Sequence, residues 1–513
     1  MSSSTDRRPG RRSWAAAAVL FAVVAGESRA GAVPIDEPHV GGIGFSGPTT
    51  GDLAAIYWNP AALGLMHGLN VTFAGNGRLS TTTVSRGPID PMTGRAGGGA
   101  TLPEARAVDS SHPFIWPPGP GAFAGISYDV GGDRLTLAGA VYMPFLERTT
   151  YQSSASNGGS VDSLATRYHR ISSDLRNLSL SSAFAVRLVG DFRLGFAPNV
   201  LLSTGRMSFA ESTCSANSPC TTAEDPSADA VVDVGSNQGI FSSKAAVTLT
   251  TGLYYSRRTW EAGASFTSRP FGGQVSASAV IVGDQSGVTR APRDVNAMTP
   301  APVTCDNRRA DGMGCVFADI VYKLPYILTA GFAWHPRSGW EITAIERILS
   351  FPSDDVIDIR LTGQTLDAAH VPAHIVLYRG YGTVADTRLR VANWVKEWLR
   401  IGAGLRYESS ALPASAVSPA AVDNRKFEPT AMILIRAARH LWIGAGYAFT
   451  YMLPVNTTAS AFDPTAAQGC VAAGGDLNAA PCSLRKDGLA RATAVGSYRH
   501  FEHDFSLSVT AQF

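Results

Sequence analysis

The segment Leu399–Glu408, LRIGAGLRYE, sets Leu399, Ile401, Ala403, Leu405 and Tyr407 against Arg400, Gly402, Gly404, Arg406 and Glu408. Successive side chains of an extended chain point to opposite faces, so this strand carries one lipid-like face and one polar face. The pattern recurs outward in both directions. Leu135, Leu137, Gly139, Val141 and Met143 alternate with Thr136, Ala138, Ala140, Tyr142 and Pro144, residues 441–451 repeat it, and so does the terminal FSLSVTAQF that ends in Phe513. A soluble sandwich alternates in the same way, so the period alone leaves both architectures open.

The connections separate them. Alternating runs are expected at about 69–86, 120–130, 133–148, 171–189, 191–207, 237–256, 258–283, 316–335, 339–361, 375–395, 398–411, 426–438, 440–456 and 487–513. The joins at Gly131-Gly132, Gly190, Arg257, 336–338, Lys396-Glu397 and Arg439 are tight turns, and the joins between these, such as 87–119, 208–236, 284–315 and 457–486, are long. Short and long joins alternate strictly. An outer-membrane barrel does this, with short periplasmic turns, longer outer loops and an even strand number. The expected fold is therefore all-β, a fourteen-stranded antiparallel transmembrane β-barrel.

One stretch does not fit the wall. Residues 41–63, GGIGFSGPTTGDLAAIYWNPAAL, hold glycine at 41, 42, 44, 47 and 51 and proline at 48 and 60, which forbid a long regular element. Ile56, Tyr57, Trp58 and Leu63 are nevertheless too apolar for a free tail. Such a segment must be buried in something, and the lumen is the place for it. It is expected to form a plug, or hatch, over 33–67, with the barrel over 68–513. Ahead of it, Arg7, Arg8, Arg11 and Arg12 precede a twelve-residue apolar run from Trp14 to Ala25 and small residues near 28–32, which reads as a secretory signal peptide over 1–32. That run is too short for a spanning helix, which needs about 20 apolar residues.

Composition agrees. Charged residues are 16% of the 513, against roughly 25% in soluble proteins. Mean hydropathy is +0.04. The formal net charge is +2 with both signs scattered, so there is no basic stripe to neutralise phosphates, and nucleic acid is not an expected partner. The six cysteines fall as Cys214 with Cys220, Cys305 with Cys315, and Cys470 with Cys482, each pair within one long join. In an exported chain they read as three disulfides in outer loops, with thiolate metal binding as the alternative. No metal site is assigned.

Other motifs carry less. Gly42-x-Gly44-x-x-Gly47 matches a dinucleotide fingerprint, but no strand of a βαβ unit precedes it. His500 and His503 lack partners at ligand spacing, and no nucleophile motif stands in its supporting context, so no catalytic residue, enzyme activity or cofactor is expected. Arg187, Arg400 and Arg406 on polar faces are possible contacts for a ligand carboxylate, or else pair inside the barrel, as Arg406 could with Glu408. In the third run, Gly139 has no side chain to pack and Pro144 cannot donate to the ladder, which marks a possible break in the wall.

The Tyr57-Trp58-Asn59-Pro60-Ala61-Ala62-Leu63 core, above all its NPA tripeptide, resembles the hatch of the FadL-like family of outer-membrane transporters. LRIGAGLRYESSALP at 399–413, Lys323-Leu324-Pro325 ahead of a strand, and the aromatic C-terminus resemble family features as well. The resemblance implies a bacterial outer-membrane location and assembly by the barrel-insertion machinery. It implies passive transport of long-chain fatty acids or other hydrophobic molecules by what is expected to be a lipid-embedded monomer. Ligand would be captured by the outer loops, pass the hatch at Tyr57, Trp58, Asn59, Pro60 and Ala61, and leave sideways through a gap near Gly139 and Pro144. The alternative is a barrel that displays disulfide-stiffened loops, as an adhesin or secretion partner would. A lumen packed solid with paired charges would favour display, and an apolar lining between the third and fourth outer loops, continuous with a cavity above Asn59, would favour transport.

Overall fold

The computed structural model describes residues 39–90, 92, 95–99, 101–111, 121–131, 134–153, 163–212, 224, 229–235, 245–281, 288–289, 317–362, 373–463, 488–489 and 491–513. The segment read as a signal peptide and all six cysteines lie outside these residues. Fourteen strands close into one antiparallel barrel: β1 (Leu69–Arg86), β2 (Phe123–Asp129), β3 (Leu135–Ser153), β4 (Ser172–Arg187), β5 (Phe192–Ser212), β6 (Ala246–Arg257), β7 (Trp260–Thr267), β8 (Tyr326–Trp334), β9 (Trp340–Ser350), β10 (Thr383–Lys396), β11 (Leu399–Glu408), β12 (Lys426–Ala438), β13 (Leu441–Met452) and β14 (Gly496–Gln512). Each pairs with the next. β14 returns to β1 from Asn70↔Gln512 to Arg86↔Gly496, which leaves the wall without a free edge.

The outer face is the apolar one. Leu137, Leu180, Leu253, Leu328, Ile401 and Leu405 are each more than 40% exposed, while the residues between them turn inward. Trp260 stacks on Phe332 near the end of the short turns, and Tyr407 meets Phe427 toward the other end, as aromatic belts do at the two bilayer interfaces. A closed barrel with this surface belongs in lipid, and its place is the bacterial outer membrane. At the short-turn end Gly190 takes φ +59, a left-handed conformation that costs other residues, and so lets β4 reverse into β5 within four residues, 188–191.

Four of the expected strands are each two. The runs at 258–283, 316–335, 339–361 and 375–395 break at 268–274, 323–325, 351–355 and 379–382, where Pro270, Pro325, Pro352, Gly380 and Gly382 interrupt the ladder. Below the breaks lie β7 to β10. Above them Val275–Ile281, Phe317–Tyr322, Val356–Thr362 and His374–Tyr378 keep the same neighbours. Their side chains Val275, Ile320, Tyr322, Ile359 and Leu377 join Phe145, Tyr151, Leu201 and Phe209 in one buried cluster beyond the lumen. Tyr322 Oη reaches Asn177 Oδ1 of β4 at 2.9 Å, so this cap is tied to the opposite wall.

The outer join 409–425 belongs to the same cap, and Tyr151 Oη donates to Pro419 O at 3.1 Å. Asp423 anchors it, accepting from Ala411 N at 2.9 Å and lying 3.3 Å from Lys426 Nζ. Burial pushes the Asp423 carboxyl up from 3.8 to about 7, with Glu408 adding to the rise and Lys426 opposing it. Folded Asp423 thus holds a proton that the unfolded chain releases. Its contribution is fully present below the unfolded value and is lost as pH rises through the folded one. Thermal unfolding should show the protein more stable at about pH 5 than at about pH 8, by on the order of 1–2 kcal/mol. Asp423→Asn should abolish that difference, and an unchanged difference would refute the assignment.

β3 carries an irregularity in the wall beside the lumen. Its ladder with β4 runs regularly to Tyr142↔Ser179 and resumes at Phe145↔Asn177, so Met143 and Pro144 oppose Leu178 alone. This one-residue bulge reverses the alternation. Below it Thr136, Ala140 and Tyr142 face inward; above it Phe145, Glu147 and Tyr151 do. Met143, expected on the lipid face by simple alternation, lies in the bulge and is 2% exposed. On its other side β3 pairs with β2 up to Tyr142↔Phe123 and with the strand Ala105–Ser111 only from Tyr151 onward. Among the described residues, β3 from Pro144 to Thr150 has no ladder partner on that side, and the connecting residues 112–120 lie outside the described set.

Candidate functional site: the hatch against the barrel wall

Residues 39–68 are folded inside the barrel. A single turn of helix, α1 (Ala55–Trp58), is followed by a 3-10 helix, Pro60–Leu65, and Asn59 between them is extended at φ −165 and ψ 98. Pro60 opens the second helix, where its missing N–H costs nothing. Asn59 is fully buried and its side chain is fully used. Nδ2 donates to Pro48 O at 2.7 Å and to Leu253 O of β6 at 2.9 Å, and Oδ1 accepts from Ala61 N at 3.2 Å. One side chain therefore caps a helix, closes the loop from Pro48 and fastens both to the wall.

The wall is recessed to receive it. A Cβ on Gly195 of β5 would overlap the backbone of Pro60 and Ala61, one on Gly252 of β6 would overlap Asn59 Oδ1, and one on Gly263 of β7 would overlap Pro48 O. On β8, Gly331 makes room for the Pro48 ring. Gly195 pairs with Gly252 and Gly263 with Gly331, and Gly263 lies opposite Tyr254, two residues along β6 from Gly252, so the two pairs form a stepped glycine track. Across the barrel Gly446 of β13 leaves room for Ile43 O, and Ser506 Oγ accepts from Ile43 N at 2.8 Å. Arg390 Nη1 donates to Ser46 O at 3.1 Å and Arg193 Nε to Gly64 O at 3.1 Å. Val40, Leu53, Ile56 and Leu63 fill the remaining space against Ala140, Ala185 and Ala197 of the wall.

Tyr57 and Trp58 divide the lumen above this seat into two unlike halves. On one side Arg347 Nη2 donates to Tyr57 Oη at 3.0 Å, and the Arg347 and Arg388 guanidinium groups lie 4.8 and 4.9 Å from the Trp58 ring centre. Asp386, fully buried, accepts from Arg388 Nη2 at 2.6 Å and from Arg406 Nε at 3.0 Å. Arg406 continues to Glu428 at 2.8 Å and to Glu408, which also faces Lys426 at 3.3 Å. Arg78, Asp504, Glu502 and His39 extend the group onto β14 and β1. On the other side of Tyr57 lies a small, partly open cavity lined by Tyr142, Pro144 and Phe145 of β3 and by Asn199, Leu201, Thr250 and Ile327, with no charged residue in its lining. The bulge at Pro144 is one of its walls.

Solved structures with this architecture were found by comparison of the whole fold. A Pseudomonas aeruginosa FadL homologue aligns with a TM-score of 0.63 at 13% identity, covering 94% of this chain and 98% of the other. The toluene transporter TodX of P. putida aligns at 0.56 and 14%, over 90% and 94%, and the toluene transporter TbuX of Ralstonia pickettii at 0.54 and 12%, over 92% and 99%. The chain has the fold of the FadL-type outer-membrane barrels. No protein-family model matches the sequence, and no curated protein matches it.

Within this FadL-type barrel the residues singled out from sequence fall in different places. Tyr57, Trp58, Asn59, Pro60 and Ala61 are together at the centre of the seat. Pro144 lies in the bulge, whereas Gly139 sits in regular ladder between Ile126 and Ser182. Arg187 is at the short-turn end, 2.9 Å from Asp191. Arg400 lies 2.9 Å from Glu341 and stacks over Phe45 at 4.3 Å, and Arg406 is held by three carboxylates, Glu408 among them. The glycine track was missed. Its signal is present in FRLGF, TTGLY, EAGAS and TAGFA, where glycine recurs on the inward face of successive strands, and strand glycine marks close approach of another backbone.

Proposed function

We propose that this barrel passes hydrophobic small molecules across the outer membrane without catalysis. The observation that carries the reading is the uncharged cavity enclosed between Tyr57 of the hatch and the β3 bulge at Pro144. An apolar molecule held there lies against the part of the wall where pairing is interrupted, and sideways release into lipid would spare it a passage through water. The toluene transporters among the similar structures support the same class of cargo. Long-chain fatty acids, implied by the sequence resemblance, stand second to uncharged molecules. Their carboxylate would need a cation, and Arg347, Arg388, Arg406 and Lys426 already face Asp386, Glu408, Glu428 and Asp423.

Paired charges crowd the part of the lumen formed by β9 to β14 and β1, and a further buried pair, Glu147 with Arg170, lies above the β3 bulge, but none lines the cavity, so they do not favour the display of loops over transport. The test is uptake of labelled toluene and labelled oleate by cells lacking their own transporter, at matched levels of inserted protein. Intact protein should restore uptake of at least one. Deleting Pro144 removes the extra residue and restores unbroken pairing with both faces kept. Uptake should then fall by about tenfold or more. If intact protein carries neither compound, transport of hydrophobic molecules is wrong; if the deletion variant transports normally, exit at the bulge is wrong.

A further inference from the structure

The uncharged cavity is not simply apolar. A chain of neutral hydrogen-bonding side chains crosses it from β3 to β7, one strand after another. Tyr142 Oη donates to Asn199 Oδ1 at 3.2 Å, and Ser181 Oγ donates to the same oxygen at 2.6 Å. Ser179 Oγ lies 3.0 Å from Ser181 Oγ. Asn199 Nδ2 donates to Thr248 Oγ1 and Thr250 Oγ1, both at 3.2 Å, and Thr250 Oγ1 lies 2.9 Å from Thr267 Oγ1. All but Thr267 are buried. A wall serving only to hold hydrocarbon would not bury six polar side chains on its cavity face, since each must be kept hydrogen-bonded to avoid a desolvation cost.

The bonding of the chain leaves specific capacity. A hydroxyl offers one proton and two lone pairs. Thr248 Oγ1 receives from Asn199 and, among the described residues, directs its own proton to no side chain, while it lines the cavity together with Ser179, Asn199 and Thr250. The apolar part of the lining, Pro144, Phe145, Leu201 and Ile327, faces the same space, and the Tyr57 and Tyr142 rings meet edge to face at 5.7 Å on one side of it.

We propose that the preferred cargo is a compact hydrophobic molecule bearing one uncharged hydroxyl, of the alkylphenol type. This rests on the transport reading above and narrows it. A hydroxyl both donates and accepts, as the groups in the chain do, so it can accept the Thr248 proton and return its own to a neighbouring oxygen. A carboxylate only accepts, and it would be stripped of water in a lining that contains no cation. A plain hydrocarbon fits the apolar part and gains nothing from the polar part.

Three probes with one apolar body separate these cases: 4-butylphenol, butylbenzene and 4-butylbenzoate, labelled and equilibrated with the full-length protein in lipid nanodiscs at neutral pH, with empty nanodiscs as the background. Protein-dependent binding of 4-butylphenol should be about tenfold tighter than that of either other probe. In the near-isosteric Thr248→Val and Thr250→Val variants the preference over butylbenzene should collapse toward unity. The wild-type ranking needs no variant, so a folding failure in either substitution leaves the test intact. Equal binding of all three, a preference for the benzoate, or a phenol preference that survives both substitutions would each overturn the proposal while leaving transport of hydrophobic molecules standing. Absence of protein-dependent binding for all three, together with failure of toluene and oleate uptake, would overturn the transport reading itself.

Discussion

Gly252→Val is expected to unseat the hatch and open the barrel to water. A side chain at that position would overlap Asn59 Oδ1, and Asn59 cannot move aside because its amide is also bonded to Pro48 O and Leu253 O. Gly195→Val should act in the same way, because the atoms it would meet are backbone atoms of Pro60 and Ala61, which have no rotamer to change. Asn59→Leu reaches the same end without added bulk, leaving three buried backbone partners unpaired at a cost on the order of 3 kcal/mol or more. Since the seat is inside a closed wall, the barrel itself should still insert. Planar-bilayer recordings should then show conductance steps at least about tenfold larger than those of the intact protein, as a lumen of this size fills with water. The hatch should also become open to protease. Gly139→Ala is the control, because a Cβ there meets nothing nearer than Ser181 O at 3.9 Å, and it should behave like the parent. If Gly252→Val conducts and resists protease as the parent does, the glycine track is not what seats the hatch.

Arg406→Met should be the most destabilising single change in the charged half of the lumen. Its guanidinium bridges Asp386, Glu428 and Glu408, and the first of these is fully buried. Removing one partner from a buried charge group leaves the others uncompensated, at a cost of about 3–5 kcal/mol. Arg388 and Lys426 remain beside Asp386 and Glu408 and limit the loss there, so Glu428 should be the residue most affected. The double variant Arg406→Met with Glu428→Gln should therefore recover part of the stability. The measurement is the urea midpoint of the inserted barrel, with both single variants and the double variant compared in one cycle. A single variant within about 1 kcal/mol of the parent would show that the three carboxylates do not depend on Arg406. The same comparison bears on function. If Arg406 is committed to these acids, its loss should alter stability far more than it alters which ligand is carried.

The strand pattern was legible because it is local. Leu399 to Glu408 shows its two faces in ten residues, and the tight turns at Gly190 and Arg439 fix where such runs reverse, so the number of wall strands and their antiparallel order follow from the chain. Ile56, Tyr57 and Trp58 among glycines and prolines likewise demand burial without any knowledge of what buries them. The same local reasoning failed where one residue changes the phase. The bulge at Met143 and Pro144 adds a residue to β3 and buries Met143 there, and nothing in the alternation of 135–143 announces that. It also ran wall and cap together at 258–283, 316–335, 339–361 and 375–395, although Pro270, Pro325 and Pro352 mark three of the breaks.

What the sequence determined by itself is the periodicity, and with it a closed wall with a greasy outside, because the alternation of side chains along a strand is a property of neighbouring residues. What only the tertiary structure decided is the content of the lumen. Arg406 meets Asp386 because β10 and β11 pair in one particular register, Gly252 meets Asn59 across 193 positions of chain, and the neutral polar side chains of five strands line up on one side of Tyr57. Those meetings depend on how the sheet closes, and closure is a property of the whole ring of strands.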